Sequence, residues 1–528
     1  MPEFNLIEQP WLPCLRPDGR AEDLSLRDVL TRAHELREMF DSSPLVTVAL
    51  HRFLLALLHR AHDGPTSIEA WRALWSFSQF DAEHINRYLD QWSRRFDLFD
   101  VKRPFYQMRL PEDVKAHPVQ ALCHETASGN NPTLFDHSHA GVPLALTPAA
   151  AARQLIAFQS FALGGGVSQP FNFSDAMLAR GYTLLAQGDN LFETLMLNLL
   201  VYTNARPFPR LDDGGDQPAW EVERPPTPDR AGTQPRGYVD YLTFQSRRVC
   251  LLPDSDGTVR RCQIQQNLKL PEQGVLDPFK AYKRDEKTGF RPFTLQPAKA
   301  LWRDSHALFE EVSDAAKRPD IFNHLARVEQ LRRDGKIEAR PVYSFAVYGL
   351  ATEPGQNLVH LWQHERLPLP LGYLTDAALR RALRDALFLA EETAKILHGG
   401  ARTLARYVLA PEAGEGGEPD KDAVKRLVES FRPGLLYWPR LEPEFRQFLV
   451  QLAEDREEDE DGDVSYGRRE LPHWAGVLER RARGAFREMS GGVGTTARTL
   501  KAAALSELEF GARMHALMKK VGPTARAA

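Results

Sequence analysis

Chemistry in this chain would have to come from a few polar groupings. His62-Asp63 is the dipeptide with which metal-dependent phosphohydrolases hold an ion. Gly64-Pro65 follows directly, and a histidine near a helix C-terminus, where its charge meets the dipole, accounts for the pair more simply. His124, Glu125, Asp136, His137 and His139 could be gathered around a metal, but their spacing matches no standard ligand pattern and solvated side chains suffice. His360 and His364 would share a strand face about 13 Å apart, too far for one ion. In the acidic run 454–463, Asp459, Asp461 and Gly462 sit at calcium-loop offsets. Arg468 stands where the closing glutamate is required, so an EF-hand is excluded and a solvated acidic loop is expected. No Gly-x-Ser-x-Gly elbow and no His-Glu-x-x-His pair occurs. No catalytic centre emerges, and no cofactor or metal is called for.

Other groups suit binding better than turnover. Gly164-Gly165-Gly166 is followed by no Lys-Ser or Lys-Thr, so it is not a P-loop. It is either a helix terminus or a loop whose bare backbone can approach a ligand closely. Ser490 to Thr496 also lacks the lysine and reads as a turn between helices. Arg480, Arg483 and Arg487, with Arg380, Arg381 and Arg384, recur at helical spacing. They form either a solvated face or a stripe that tracks phosphates. Between the strand-like runs 342–348 and 358–362 lies Glu353-Pro354-Gly355-Gln356. Pro followed by Gly suits a type II turn, so the hairpin tip would present the uncharged Gln356 beside Asn357.

The elements that must carry these groups follow from size and pattern. A chain of 528 residues is expected to form two or more domains. Its 43% hydrophobic and 26% charged residues are those of a globular protein, and a net charge of −4 argues against a broadly basic coat. Local phosphate contacts remain open, since a few Lys or Arg suffice. The cysteines Cys14, Cys123, Cys250 and Cys262 form no CxxC pair, which fits a reduced cytoplasmic setting. The N-terminus lacks a signal-peptide pattern. The apolar stretch 44–61 is interrupted by His51, Arg52, His59 and Arg60 and reads as a buried helix, so no membrane is implied.

In order, the pattern predicts an extended opening, a capping-box helix over 25–39, and a helix entered at Ser43-Pro44. A helix over 81–98 follows, then a long loop over 118–143, where loops of that length tend to be functional. Helices are expected over 148–161, 175–185 and 190–202, a surface excursion or linker over 206–236, and a strand over 238–252. Asp277 to Arg284 reads as a basic, aromatic loop. After the hairpin, Leu379, Leu383, Ala386, Ala390, Ala394 and Leu397 start an antiparallel bundle, with helices over 421–431, 442–454, 471–489 and 495–520. The fold class is thus α+β: a large irregular mixed α/β domain over 1–373 and a C-terminal four-helix bundle over 374–528.

Several of these features occur together, in this order, in one family. The opening Asn5-Leu6-Ile7 with Trp11-Leu12-Pro13, Arg103-Pro104-Phe105-Tyr106-Gln107, the Ser128 to Phe135 loop and the triple glycine are among them. Asp277-Pro278 with Leu301-Trp302-Arg303-Asp304, the Gln356 hairpin and the helical bundle complete the set. Over essentially its whole length the chain resembles the large subunit (CasA family) of the type I-E CRISPR surveillance complex, Cascade.

The resemblance implies a non-enzymatic DNA reader. Its large domain would recognise the PAM of double-stranded target DNA from the minor groove, and Gln356 would wedge into the duplex to start R-loop formation. Gly165 within its glycine loop, flanked by Gly164 and Gly166, and Lys269 would complete the reading, with Asn357 beside the wedge. Asn131, Leu134 and Phe135 would dock the long loop toward the CRISPR RNA and the other Cascade subunits. The chain would help recruit the CRISPR helicase-nuclease and be a monomer when isolated. With only Cys250 and Cys262 near the position of a cysteine cluster found in some relatives, no structural zinc is expected. Gly355 stands where some relatives carry a polar side chain, so PAM preference would differ. The rival readings are a phosphohydrolase using His62 and Asp63, which predicts metal-dependent turnover, and a purely structural scaffold, which predicts no DNA contact.

Overall fold

The computed structural model describes residues 2–124, 144–203, 207–208, 215–286, 289–294, 299–309, 316–352, 359–410 and 418–524. The chain is α+β, and it divides into two compact units: residues 1–301 with 311–366, and residues 302–310 with 367–528. The division at 366/367 falls within a strand, Val359–Pro370.

The first unit is built on the helix Pro44–Ala61. Ser43 caps it by accepting from the Val46 amide at 3.3 Å, and Pro44 occupies the first turn. Every side chain from Leu45 to His59 is buried, so this helix is apolar all round because protein surrounds it. By length and composition it could cross a membrane, but 83% of it is inside the fold. Arg52 meets Asp277 at 2.9 Å, and Tyr241 donates to the same carboxylate at 2.8 Å. Phe53 forms edge contacts with Trp11, Phe105, Tyr106 and Trp220. The helix Pro148–Phe161 packs alongside, capped by Thr147.

Small sheets surround this pair. Leu12–Leu15 pairs antiparallel with Ala21–Leu24 and with Glu38–Met39. Val259–Gln266 lies between Ala116–Pro118 and Arg247–Pro253, with an irregularity at Leu252/Pro253. Val342–Thr352 lies between Val359–Pro370 and Tyr182–Gln187, with Ser344 opposite Gln187 and Gly349 opposite Tyr182. The expected hairpin strands therefore exist and are longer than read, while its tip, with Gln356 and Asn357, lies outside the described residues. So do Asn131, Leu134 and Phe135.

Several local expectations are corrected, each by tertiary packing. The helix begun at Ser25, whose hydroxyl does accept from the Asp28 amide at 3.1 Å, ends at Thr31. Glu38–Met39 is a strand because it pairs with Cys14 and Leu15. The expected 175–185 helix is absent. Gly181 takes φ +77, and a Cβ there would lie 2.7 Å from Pro292; the strand Tyr182–Gln187 follows. The expected 238–252 strand opens as a buried helical turn, Tyr238–Leu242, and only Arg247–Pro253 is extended.

The supposed surface excursion is anchored instead. Trp220 and Glu221 are 4% and 3% exposed, Arg60 grips the Glu221 carboxylate with two nitrogens, and Tyr88 donates to it at 2.7 Å. Asp277 to Arg284 is no open loop either: Asp277 and Lys280 are buried, and Tyr282–Asp285 is a strand.

In the second unit the helix Ala377–Val408 is capped by Asp376, which accepts from the Ala378 and Leu379 amides. It packs against the helices Lys421–Phe431, Glu442–Glu454, Glu470–Gly491 and Ala497–Thr524. Leu379, Leu383, Ala386, Ala390 and Leu397 are buried and Ala394 half-buried, as their spacing requires. Trp474 donates to the Ala386 carbonyl at 3.1 Å, and Phe486 stacks on Phe510 at 4.5 Å. Trp302 stacks on Phe445 at 4.5 Å.

The acidic run is not simply a solvated loop: Arg456–Glu458 and Val464–Tyr466 form a hairpin around it. Asp455 is buried and caps the helix Glu470–Gly491, accepting from the Arg469 and Glu470 amides at 2.8 and 2.9 Å. Burial pushes its carboxyl up, but those amides and the Arg469 guanidinium outweigh it and hold it below the usual range. A carboxyl depressed in the folded state contributes stability above its unfolded pKa and loses it as pH falls through the folded value. Asp455→Ala is expected to cost about 1–2 kcal/mol at neutral pH, the usual worth of a cap. Urea midpoints of the intact chain should show that gap narrowing below about pH 4; a gap independent of pH would remove the carboxylate from the account.

Candidate nucleic-acid interface

The helix Pro148–Phe161 stops at Ala162, which is extended, and the chain runs into Leu163 and the three glycines. Gly165 and Gly166 take φ +100 and +86, the left-handed region that glycine enters without strain. The loop folds back on itself: the Gly164 amide donates to Asp175 Oδ1 at 2.7 Å, the Gly165 amide to the Phe173 carbonyl at 2.8 Å, and the Phe173 amide to the Gly166 carbonyl at 3.3 Å. A Cβ on Gly164 would come within 2.9 Å of the Asp175 amide, so bareness there is an internal need. Gly165, Gly166 and Val167 are exposed at the tip. The glycines thus follow a helix terminus and form an exposed, bare turn.

Beneath the loop lies a buried polar hub. Arg247, 2% exposed, donates to the Leu163 carbonyl at 3.0 Å, the Ser174 carbonyl at 2.7 Å, the Ser246 carbonyl at 3.0 Å and Gln266 Oε1 at 3.1 Å. Its guanidinium covers the Phe173 ring at 4.9 Å. Burial pulls it down to about 10, which leaves it charged at neutral pH. Gln159 holds the Arg247 main chain by accepting from its amide and donating to its carbonyl, both at 2.9 Å. Gln266, fully buried and opposite Arg247 in register, accepts from the Ser174 amide at 2.9 Å, and its main-chain amide donates to Ser168 Oγ at 2.9 Å. The returning arm is anchored further on by Lys280, whose ammonium donates to the Met177 and Arg180 carbonyls at 2.8 and 2.7 Å. Burial lowers that ammonium to about 8.

Lys269 follows Gln266 by three residues. Its carbonyl accepts from the Thr233 amide at 2.7 Å, and its half-buried side chain reaches Glu272 at 3.4 Å. So exposed an ion pair is weak and easily exchanged for another anion. The Gly164–Gly166 loop and the Lys269 segment are therefore brought to one hub. Its members, Arg247, Gln266, Gln159 and Ser168, were not singled out from the sequence. The available signal was an arginine opening the strand Arg247–Pro253 and a run of amides, Gln265-Gln266-Asn267, where the strand Val259–Gln266 ends.

The hairpin that carries Gln356 is fixed at its base by the stack of Tyr348 on His364, 4.8 Å apart, and by Arg366 on Glu38 at 2.8 Å. The rival metal sites look different in place. His62 caps the Pro44–Ala61 helix C-terminus and stacks on His84 at 5.0 Å. Burial, then the His84 charge, lowers it to about 4, so it is neutral, and Asp63 has a left-handed backbone. His124 stacks on Phe158, and burial lowers it to about 4, while Glu125, Asp136, His137 and His139 lie outside the described residues. Cys250 faces Gln263 and Leu251 faces Cys262. Burial, then Cys123 and Cys250, push the Cys262 thiol up to about 12. Among the described residues no group of three His, Cys, Asp or Glu converges as an ion site.

On the helical unit, Arg483 pairs with Glu479 at 2.8 Å and Arg380 donates to the Tyr373 carbonyl at 3.1 Å. Part of the arginine stripe is thus used internally, while Arg480 and Arg487 are exposed.

Comparison with known proteins extends this picture. The family model described as CRISPR-associated protein Cse1 matches residues 5–485. A CRISPR-associated protein CasA/Cse1 of Thermus thermophilus is 33% identical over 531 residues, covering 98% of this chain and 99% of that protein. The crystal structure of Thermus thermophilus CasA matches with a TM-score of 0.79 at 30% identity, over 97% of this chain and all of that one (100%). A chain of a CRISPR RNA-guided surveillance complex shares the fold, with a TM-score of 0.72 at 22% identity, over 97% of this chain and 100% of that one.

Proposed function

The chain belongs to the CRISPR-associated Cse1 (CasA) family, and on that premise we propose that it is the non-catalytic DNA-reading subunit of a cytoplasmic RNA-guided surveillance complex. In this reading it recognises the PAM of the target duplex from the minor groove, starts strand separation, and leaves the remaining sequence to guide pairing. It also helps recruit the CRISPR helicase-nuclease, and the loop with Asn131, Leu134 and Phe135 docks it beside the CRISPR RNA and the other subunits.

The observation that carries the reading is the exposed left-handed turn at Gly165 and Gly166, braced by the hub from which Lys269 also emerges. The minor groove offers a sparse pattern of acceptors and little room, so bare backbone and one long cation suit it. Gln356 and Asn357 at the hairpin tip supply uncharged polar groups that can enter a base stack without desolvating an ion.

The test is binding of the reconstituted complex to target duplexes with intact or scrambled PAM across a salt series. Wild type should prefer the intact PAM. Lys269→Ala should weaken binding and lower the log–log salt slope by about 0.9, the share of one phosphate neutralised. Equal affinity for both duplexes, with the slope unmoved by the variant, would sink the reading and favour a scaffold.

A further inference from the structure

We infer that Arg247 and Gln266 are positioning residues that hold the glycine loop and the Lys269 segment at one fixed offset, so that the two present a single rigid reading surface. The inference rests on the reading of both as DNA contacts.

A run of three glycines is the part of a chain that loses most freedom on ordering, and a reader that must order itself on binding loses affinity and selectivity together. Here the ordering is done in advance. Arg247 takes hold of the outgoing arm at the Leu163 carbonyl and of the returning arm at the Ser174 carbonyl. Gln266 takes the Ser174 amide with its Oε1, and its main-chain amide fixes Ser168 near the tip. The same Gln266 side chain shares its Nε2 hydrogens among Ser174 Oγ and the carbonyls of Ser246, Asn267 and Leu268, at 3.1 to 3.3 Å, and so ties the start of the Lys269 segment to the loop. Asn267 and Leu268 are pinned by their own amides to Ser246 and Gln245.

The choice of arginine is itself informative. Among the described residues its hydrogen bonds all go to main-chain carbonyls and one amide oxygen. A buried cation held this way is a costly route to stability, where an apolar side chain of similar volume would serve. What arginine provides and an apolar residue cannot is a planar fork of donors that reaches several acceptors in fixed directions. Lysine has the charge but lacks the fork.

The experiment combines hydrogen exchange on the full-length subunit with PAM discrimination by the reconstituted complex, for Arg247→Lys and the milder Ser168→Ala. With the clamp as inferred, Arg247→Lys speeds exchange at the Gly165 and Phe173 amides. It also lowers the ratio of scrambled-PAM to intact-PAM Kd about tenfold, the scale of one lost charged hydrogen bond. Assembly and the salt slope, which a general loss of structure would disturb, stay at wild-type values. Ser168→Ala moves both readouts the same way by a smaller factor, and it decides the matter should Arg247→Lys fail to fold. Unchanged exchange at those amides overturns the clamp. Faster exchange with discrimination intact leaves the clamp standing and overturns the glycine loop as a DNA contact.

Discussion

Complexes carrying Gln356→Ala should assemble and still prefer an intact PAM, yet open the duplex far less. Unstacking one base step costs a few kcal/mol, which an inserted side chain must offset by filling the gap and meeting base edges. A methyl group does neither. Loss of roughly 2 kcal/mol corresponds to more than a tenfold fall in the opened fraction. Gln356→Glu should be at least as damaging, because a carboxylate would have to be desolvated among bases that are themselves rich in acceptors. Fluorescence of a base analogue placed beside the PAM reads opening directly, and a gel-shift reads binding. Should both variants open DNA as wild type does, the tip is only a turn.

Gly165→Val should produce the second large effect, a loss of PAM-dependent binding by tenfold or more, on the order of 1.4 kcal/mol. Gly165 has φ +100, where a β-branched residue is strained, and the side chain would stand on the exposed turn that the proposal brings to the groove. Backbone strain is the competing cause, and Gly335→Ala controls for it. Gly335 has φ +66, follows the helix Asp320–Arg333, and would place its Cβ in open space. The control should lose about 1 kcal/mol of stability, the penalty of a left-handed alanine, and keep full DNA binding. Equal DNA-binding losses in the two variants would reduce the Gly165 effect to folding.

Where sequence and structure agree, local and tertiary signals point the same way. The helix entered at Ser43-Pro44, the one over 148–161 and the one marked by Leu379 to Leu397 are all legible from the residues alone. They diverge where a partner far along the chain decides. Tyr182–Gln187 is apolar enough for a helix and becomes a strand because residues 344–349 pair with it. Trp220 and Glu221 sit in a stretch of Pro, Gly and Asp, and are buried because Arg60 and Tyr88 need that carboxylate. The candidate site divides in the same way. Its glycines stand out as residue types, and its lysine is marked by the family resemblance alone. Its hub does not, since Gln159, Arg247 and Gln266 come from three separate elements and an arginine in a strand ordinarily faces water.

The way the chain is shared between its two units also sets a timetable for synthesis. Trp302 belongs by contact to the second unit but is made before residues 311–366 complete the first. Its stacking partner Phe445 leaves the ribosome about 140 residues later, on the order of ten seconds at ordinary translation rates. During that interval a large indole, fully buried in the finished protein, waits uncovered on the nascent chain. Trp302 can take its place against Phe445 only once the stretch between them has been made.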